Sequence, residues 1–134
     1  MAFVADASVT ASWLMPDEEN PLAERLFDMI EVETIIVPAI WWFETRNLLI
    51  INERRNRIPV EKREGLLTAL HKLPVGIDRA PDEARIMGLA RKHGLTVYDA
   101  AYLELAERKN LTLATLDRKL VDAAMAEKIP LFSA

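Results

Sequence analysis

The 134-residue chain has no cysteine and only two histidines. Zero cysteine excludes disulfides, thiolate nucleophiles and Cys-based zinc or iron–sulfur centres together. His71 and His93 have no histidine partner at i+4, and both fall near the ends of helix-like stretches, where a partial positive charge is favourable. Basic charge is also short. With 17 Lys and Arg against 21 Asp and Glu, the formal net charge is -4, so net attraction cannot hold a polyanion and local basic patches would have to. No apolar run approaches the roughly 18 residues of a membrane span, and Asp6 interrupts the apolar start with no basic region before it. Repeats, low-complexity segments and internal linkers are missing as well. These absences predict a cytoplasmic protein without a membrane partner.

What is present is ample core material. Hydrophobic residues make up 51% of the chain, enough for one continuous core, and the length suits a single domain over 1–134. Ser8–Leu14 reads as a short helix stopped by Pro16, with Asp17, Glu18, Glu19 and Asn20 as a polar loop. Asn20 can cap the next helix, with Pro21 at its first position and Leu22, Leu26, Met29 and Ile30 as its stripe. Ile35–Val37 is a short β-branched strand, and Pro38 opens a helix from about Ile40 to Arg55. Val60–Leu73 reads as a helix with Leu66, Leu67, Leu70 and Leu73 inward. Val75–Ile77 is a strand candidate. A helix starts at Pro81-Asp82-Glu83, carries Ala84, Met87, Leu89 and Ala90 as its stripe, and is closed by Gly94 in the left-handed conformation. Ile129–Phe132 is a weak strand suited to an edge because of Pro130. Short apolar strands alternating with helices predict a three-layer α/β/α domain, with a central, mainly parallel sheet of four to five strands.

Three acids terminate short apolar runs, each followed by a helix-like stretch: Asp6 after Ala2–Ala5, Asp99 after Leu95–Val97, and Asp117 after Leu113–Leu116. Each has a local explanation. Asp is a preferred helix cap, so Asp99 and Asp117 read as caps and Asp6 as the start of an Asx turn. A fourth acid, Glu44, stands out by its company. Its helix carries Trp41, Trp42, Phe43, Leu48, Leu49, Ile50 and Ile51, more apolar circumference than one core-facing stripe requires, which predicts a second buried face.

In an open parallel sheet, ligands sit beyond the carboxyl ends of the strands near the point where strand order reverses. Four carboxylates brought there would repel one another and require a cation. Oxygen-only donors suit Mg²⁺ or Mn²⁺, and such an ion can acidify a water and stabilise charge on a phosphoryl oxygen. Phosphodiester hydrolysis is the reaction this chemistry favours. Thr115, Ser8 and Asn47 are candidates to orient the acids or a water by hydrogen bonds. Tyr98, Trp41 and Trp42 can stack on bases, although large aromatics in apolar settings are more often core or interface. Among the basic rows, Arg118 and Lys119 are the candidates for a phosphate backbone, because they follow Asp117.

The motifs Phe3-Val4-Ala5-Asp6-Ala7-Ser8, Phe43-Glu44-Thr45-Arg46-Asn47, Thr96-Val97-Tyr98-Asp99-Ala100-Ala101-Tyr102 and Ala114-Thr115-Leu116-Asp117 resemble, in order and at matching spacing, those of the PIN-domain family and its VapC-type toxins. The resemblance implies a Mg²⁺- or Mn²⁺-dependent endoribonuclease with Asp6, Glu44, Asp99 and Asp117 as its acidic quartet and Thr115 in support. It also implies an RNA substrate, a homodimer and a small VapB-like antitoxin. Two competing readings stand beside it. A non-catalytic α/β module could keep the acidic pocket for ion-dependent folding or regulation. A receiver-like phosphate module is disfavoured, since the first strand ends in one acid rather than an adjacent pair.

Overall fold

The computed structural model describes residues 2–15 and 20–132, so the expected stop at Pro16 and the loop acids Asp17, Glu18 and Glu19 lie outside the described residues. Four strands form one sheet in the order β3-β2-β1-β4, with β1 at Ala2–Ala5, β2 at Thr34–Pro38, β3 at Val75–Asp78 and β4 at Leu113–Ala114. Every pairing is parallel, for example Phe3 with Ile35, Val4 with Leu113 and Ile36 with Gly76. The Ile129–Phe132 segment adds one parallel bridge, Leu131 to Leu113, outside β4. Proline at 130 removes a donor, and the segment goes no further as a strand.

Phe3, Val4 and Ala5 are all fully buried although successive strand residues point to opposite faces, so helices cover both sides of the sheet. One layer holds α1 (Ala7–Leu14), α2 (Pro21–Met29), α3 (Ile40–Arg54) and α4 (Arg63–His71). The other holds α5 (Glu83–His93), α6 (Val97–Lys109) and α7 (Arg118–Ala126). The three-layer α/β/α expectation is met, and the core runs from Phe3 and Val4 through Leu26 and Ile35 to Leu103, Leu113 and Leu120.

Local chemistry sets the helix starts. Asn20 accepts from the Leu22 and Ala23 amides with Pro21 at the first position of α2, and Asp82 accepts from the Arg85 amide at the start of α5. Gly94 ends α5 with φ at 63°, as expected. The predicted Val60–Leu73 helix divides into a 3₁₀ turn at Val60–Lys62 followed by α4, with Leu70 buried and Leu66, Leu67 and Leu73 packed at the core margin. In α5 the inward residues are Ile86, Leu89 and Ala90, with Met87 half-buried. Ala84, assigned to the stripe from sequence, is exposed because Ile86 takes the core-facing turn. His71 and His93 both occupy the last turns of their helices.

Candidate active site at the carboxyl edge of the sheet

Because all strands are parallel, their carboxyl ends share one edge, and the order reverses between β1 and β4. The Asp6 amide donates to the Ala114 carbonyl at 3.1 Å, which locks this switch point. Asp6 follows β1 directly and caps α1. It is 4% exposed. Its Oδ1 accepts from Ser8 Oγ at 2.6 Å and from the Val9 amide at 3.1 Å, and its Oδ2 accepts from the Thr115 hydroxyl. A carboxylate has roughly four lone-pair positions, so three neighbours fix the group and leave one position open.

Asp117 caps α7, its Oδ1 accepting from the Lys119 amide at 2.9 Å and the Leu120 amide at 3.4 Å. Asp99 departs from the expected cap role. Thr96 is the cap of α6, its hydroxyl accepting from the Asp99 amide at 3.1 Å, and Asp99 sits inside the first turn. Thr96 and Asp99 are three apart, the threonine-x-x-acid spacing of a capping pair, and the earlier residue takes the cap. Asp99 is therefore free of helix amides and turned to the cavity.

Glu44 stands on α3, held from two directions. One turn earlier, Trp41 Nε1 donates to Thr10 Oγ1 at 3.0 Å, and the Thr10 hydroxyl donates to the Asp6 carbonyl at 3.2 Å, tying α3 to α1. The Tyr102 hydroxyl then donates to Glu44 Oε1 at 2.7 Å. Neither Arg46 nor Arg54 engages Glu44; the Arg46 guanidinium lies 4.5 Å from the Trp42 ring centroid instead.

Asp6, Glu44, Asp99 and Asp117 all line one cavity of about 450 Å³, together with Ser8, Asn47, Tyr102 and Leu116, and among the described residues no Lys, Arg or His lines it. Burial, followed by the Asp99 charge, pushes the Asp6 carboxyl up, although hydrogen bonds from Ser8, Thr115 and the Val9 amide oppose the shift. Burial raises Glu44 too, with Asp99 and Asp6 adding to it against the Tyr102 hydrogen bond. Asp99 is raised by burial and then by Asp117, while Thr96 and Lys119 pull it down. Neighbouring acids in a partly dry cavity behave this way when burial and mutual repulsion outweigh their hydrogen bonds.

The other sequence candidates divide. Thr115 lies just past β4 and supports Asp6, while its hydroxyl accepts from the Asp117 amide at 3.0 Å. Ser8 supports Asp6 and accepts from the Leu116 amide at 3.1 Å. Asn47 lines the cavity beside Glu44. Arg118 pairs with Asp122 at 3.2 Å on the surface, and Lys119 Nζ donates to the Gly94 carbonyl at 2.9 Å, so both stand outside the cavity lining. Trp41 is core. The predicted second buried face of α3 is open in the single chain, with Trp42 44%, Phe43 63% and Ile50 41% exposed. Tyr102 joins the site beyond the residues that the sequence singles out, and its position three residues after Asp99 puts both on one face of α6.

Among the described residues, no three His, Cys, Asp or Glu side chains close into a ready-made cage for a bare ion. Mg²⁺ does not require one, since it keeps several waters and binds through one or two carboxylates. The oxygen-only donors, the cavity size and the raised acids fit a hydrated hard cation.

A model of the PIN domain matches residues 3–125. The chain belongs to the PIN-domain family. It is similar to Ribonuclease VapC3 of Pyrobaculum aerophilum, 35% identical over 97% of this chain and 96% of that protein. Two solved structures share the PIN fold. PAE2754 of P. aerophilum superposes with a TM-score of 0.72 at 22% identity, covering 92% of this chain and 84% of that one. VapBC2 of Rickettsia felis, solved bound to a DNA fragment from its promoter, gives a TM-score of 0.66 at 16% identity over 98% of both chains.

Proposed function

We propose that this PIN domain is a Mg²⁺- or Mn²⁺-dependent endoribonuclease and the toxin of a VapBC-like toxin–antitoxin pair. The observation that carries the reading is the meeting of Asp6, Glu44, Asp99 and Asp117 on one cavity that has no basic lining residue among the described residues. The similarity to Ribonuclease VapC3 over nearly the full length supports RNA as the substrate. A divalent cation, when bound, lowers the pKa of a coordinated water and offsets charge on phosphoryl oxygens. The chain supplies the orientation. Asp6 is fixed by Ser8, Thr115 and the Val9 amide, Asp117 by the first turn of α7, Glu44 by Tyr102, and Asp99 by its place in the first turn of α6.

A phosphate backbone meets repulsion from these acids until a cation is in place. Arg118 and Lys119, which follow Asp117 at the positive end of α7, are the basic groups nearest in sequence to receive it. Cellular RNA as the target puts the activity in the cytoplasm, and no helix among the described residues is long and apolar enough to cross a membrane. The open aromatic face of α3 supports protein partners, a second copy of the chain and a VapB-like antitoxin. The toxin–antitoxin complexes among the fold neighbours are consistent with this.

Purified protein is expected to cleave a defined RNA when Mg²⁺ or Mn²⁺ is supplied and to stop when the ion is chelated. Asp99→Asn is expected to lower the cleavage rate by more than about 100-fold, beyond the usual cost of losing an outer partner of a ligand. Undiminished cleavage by that variant, read on a denaturing gel, would overturn the assignment.

A further inference from the structure

Tyr102 is 1% exposed, yet it lines the acidic cavity. Packing alone would be served by phenylalanine. A buried phenol needs a hydrogen-bond partner, and the partner here is Oε1 of Glu44, on another helix and 58 positions earlier, at 2.7 Å. The other oxygen of Glu44, Oε2, has no protein hydrogen bond among the described residues. Asp99 lies three residues before Tyr102 on the same face of α6. One helix thus presents its own acid and grips the acid of α3.

We propose, resting on the metal-dependent reading above, that Tyr102 is a positioning residue of the acidic site: its hydroxyl occupies Oε1 of Glu44 and directs Oε2 to the cation. A carboxylate on a long side chain would otherwise rotate away from Asp6 and Asp99, which repel it. The phenol counters that with a charge-assisted hydrogen bond. The ring stays protonated, because burial and the Glu44 charge both push its ionisation far upward. Tyr102 touches neither substrate nor cation, and acts through Glu44.

The test uses Mn²⁺ alone, titrated calorimetrically into the full chain and into Tyr102→Phe, Glu44→Gln and the double variant. Tyr102→Phe retains the ring and is expected to unfold at nearly the wild-type temperature while binding Mn²⁺ about tenfold more weakly. In the Glu44→Gln background the same change is expected to cost nothing further, because the group it orients is already altered. In cleavage assays Tyr102→Phe is expected to lower kcat more than it raises KM. Wild-type affinity in Tyr102→Phe, or an equal loss in both backgrounds, overturns the positioning role while leaving the metal site standing. A wild-type chain that binds no Mn²⁺ overturns the metal-dependent reading itself, and the positioning role with it.

Discussion

Two groups of carboxylates in this fold have opposite electrostatics. Along the flank of α5, α6 and α7, Glu127 receives Lys92 Nζ at 2.7 Å, His93 Nε2 at 2.6 Å and Arg85 Nη2 at 2.9 Å, while Glu107 takes two bonds from Arg85 at 2.7 and 2.8 Å. Hydrogen bonds from Lys92 and then His93 hold the Glu127 carboxyl down at about 2, and Arg85 holds Glu107 below the usual range. At the sheet edge the order is reversed, and burial pushes Asp6, Glu44 and Asp99 up. The chain therefore places basic side chains against acids where structure alone is at stake and withholds them from the cavity. On the proposed reading, a divalent cation supplies the balancing charge at the cavity.

The sharpest way to break this comparison is to supply that charge. Mn²⁺ at about 100 times its Kd is expected to stabilise the chain by about 2.7 kcal/mol, read as a rise in Tm, and to do less for Asp99→Asn. An equal rise in both proteins would remove Asp99 from the metal site.

A smaller effect is expected from the paired network. Glu127→Ala leaves Arg85, Lys92 and His93 without their shared acceptor and should lower Tm by on the order of 5 °C at pH 7, with RNA cleavage retained. A folded-state pKa depressed to about 2 gives stability that is present above the unfolded value and lost as pH falls toward 2. The gap between wild type and Glu127→Ala should therefore close in acid.

The smallest effect has the opposite sign. Asp99 has a raised folded-state pKa, so its ionised form costs stability once pH exceeds that value, and both states are protonated well below the unfolded value. Without metal, Asp99→Asn is expected to raise Tm by on the order of 2–5 °C at pH 7–8, with the gain fading toward pH 4. A gain that persisted in acid would trace the effect to packing rather than to charge.

These contrasts also separate what neighbours in the chain determine from what packing determines. Asp6 and Asp117 were legible because an acid follows a short apolar run and precedes a helix, a pattern set by neighbours in the chain. The sheet was legible for the same reason, since β1, β2 and β4 are each a few consecutive apolar residues. Asp99 stands out as a candidate through the order of the four motifs, but it lies inside the first turn of α6 rather than at its cap. Thr96 and Asp99 are both good caps, and the threonine-x-x-acid spacing that decides between them was available in the sequence. The grip of Tyr102 on Glu44 was not legible, because it spans 58 positions and depends on how two helices pack. The basic rows were hardest to read: Lys92 and Arg91 look alike in the sequence, but only the turn of α5 brings Lys92 to Glu127.

The bond from Thr115 to Asp6 joins residues 109 positions apart, and β4 lies beside β1 through the register of Val4 with Leu113. During synthesis Asp6 and its local supports Ser8 and Val9 thus emerge more than 100 positions before the distant support, Thr115. A nascent or truncated chain ending before Leu113 lacks β4, Thr115 and Asp117, and so has neither the completed sheet nor the completed quartet. For a protein read as a toxin, this couples the assembly of its site to the synthesis of the segment through Asp117.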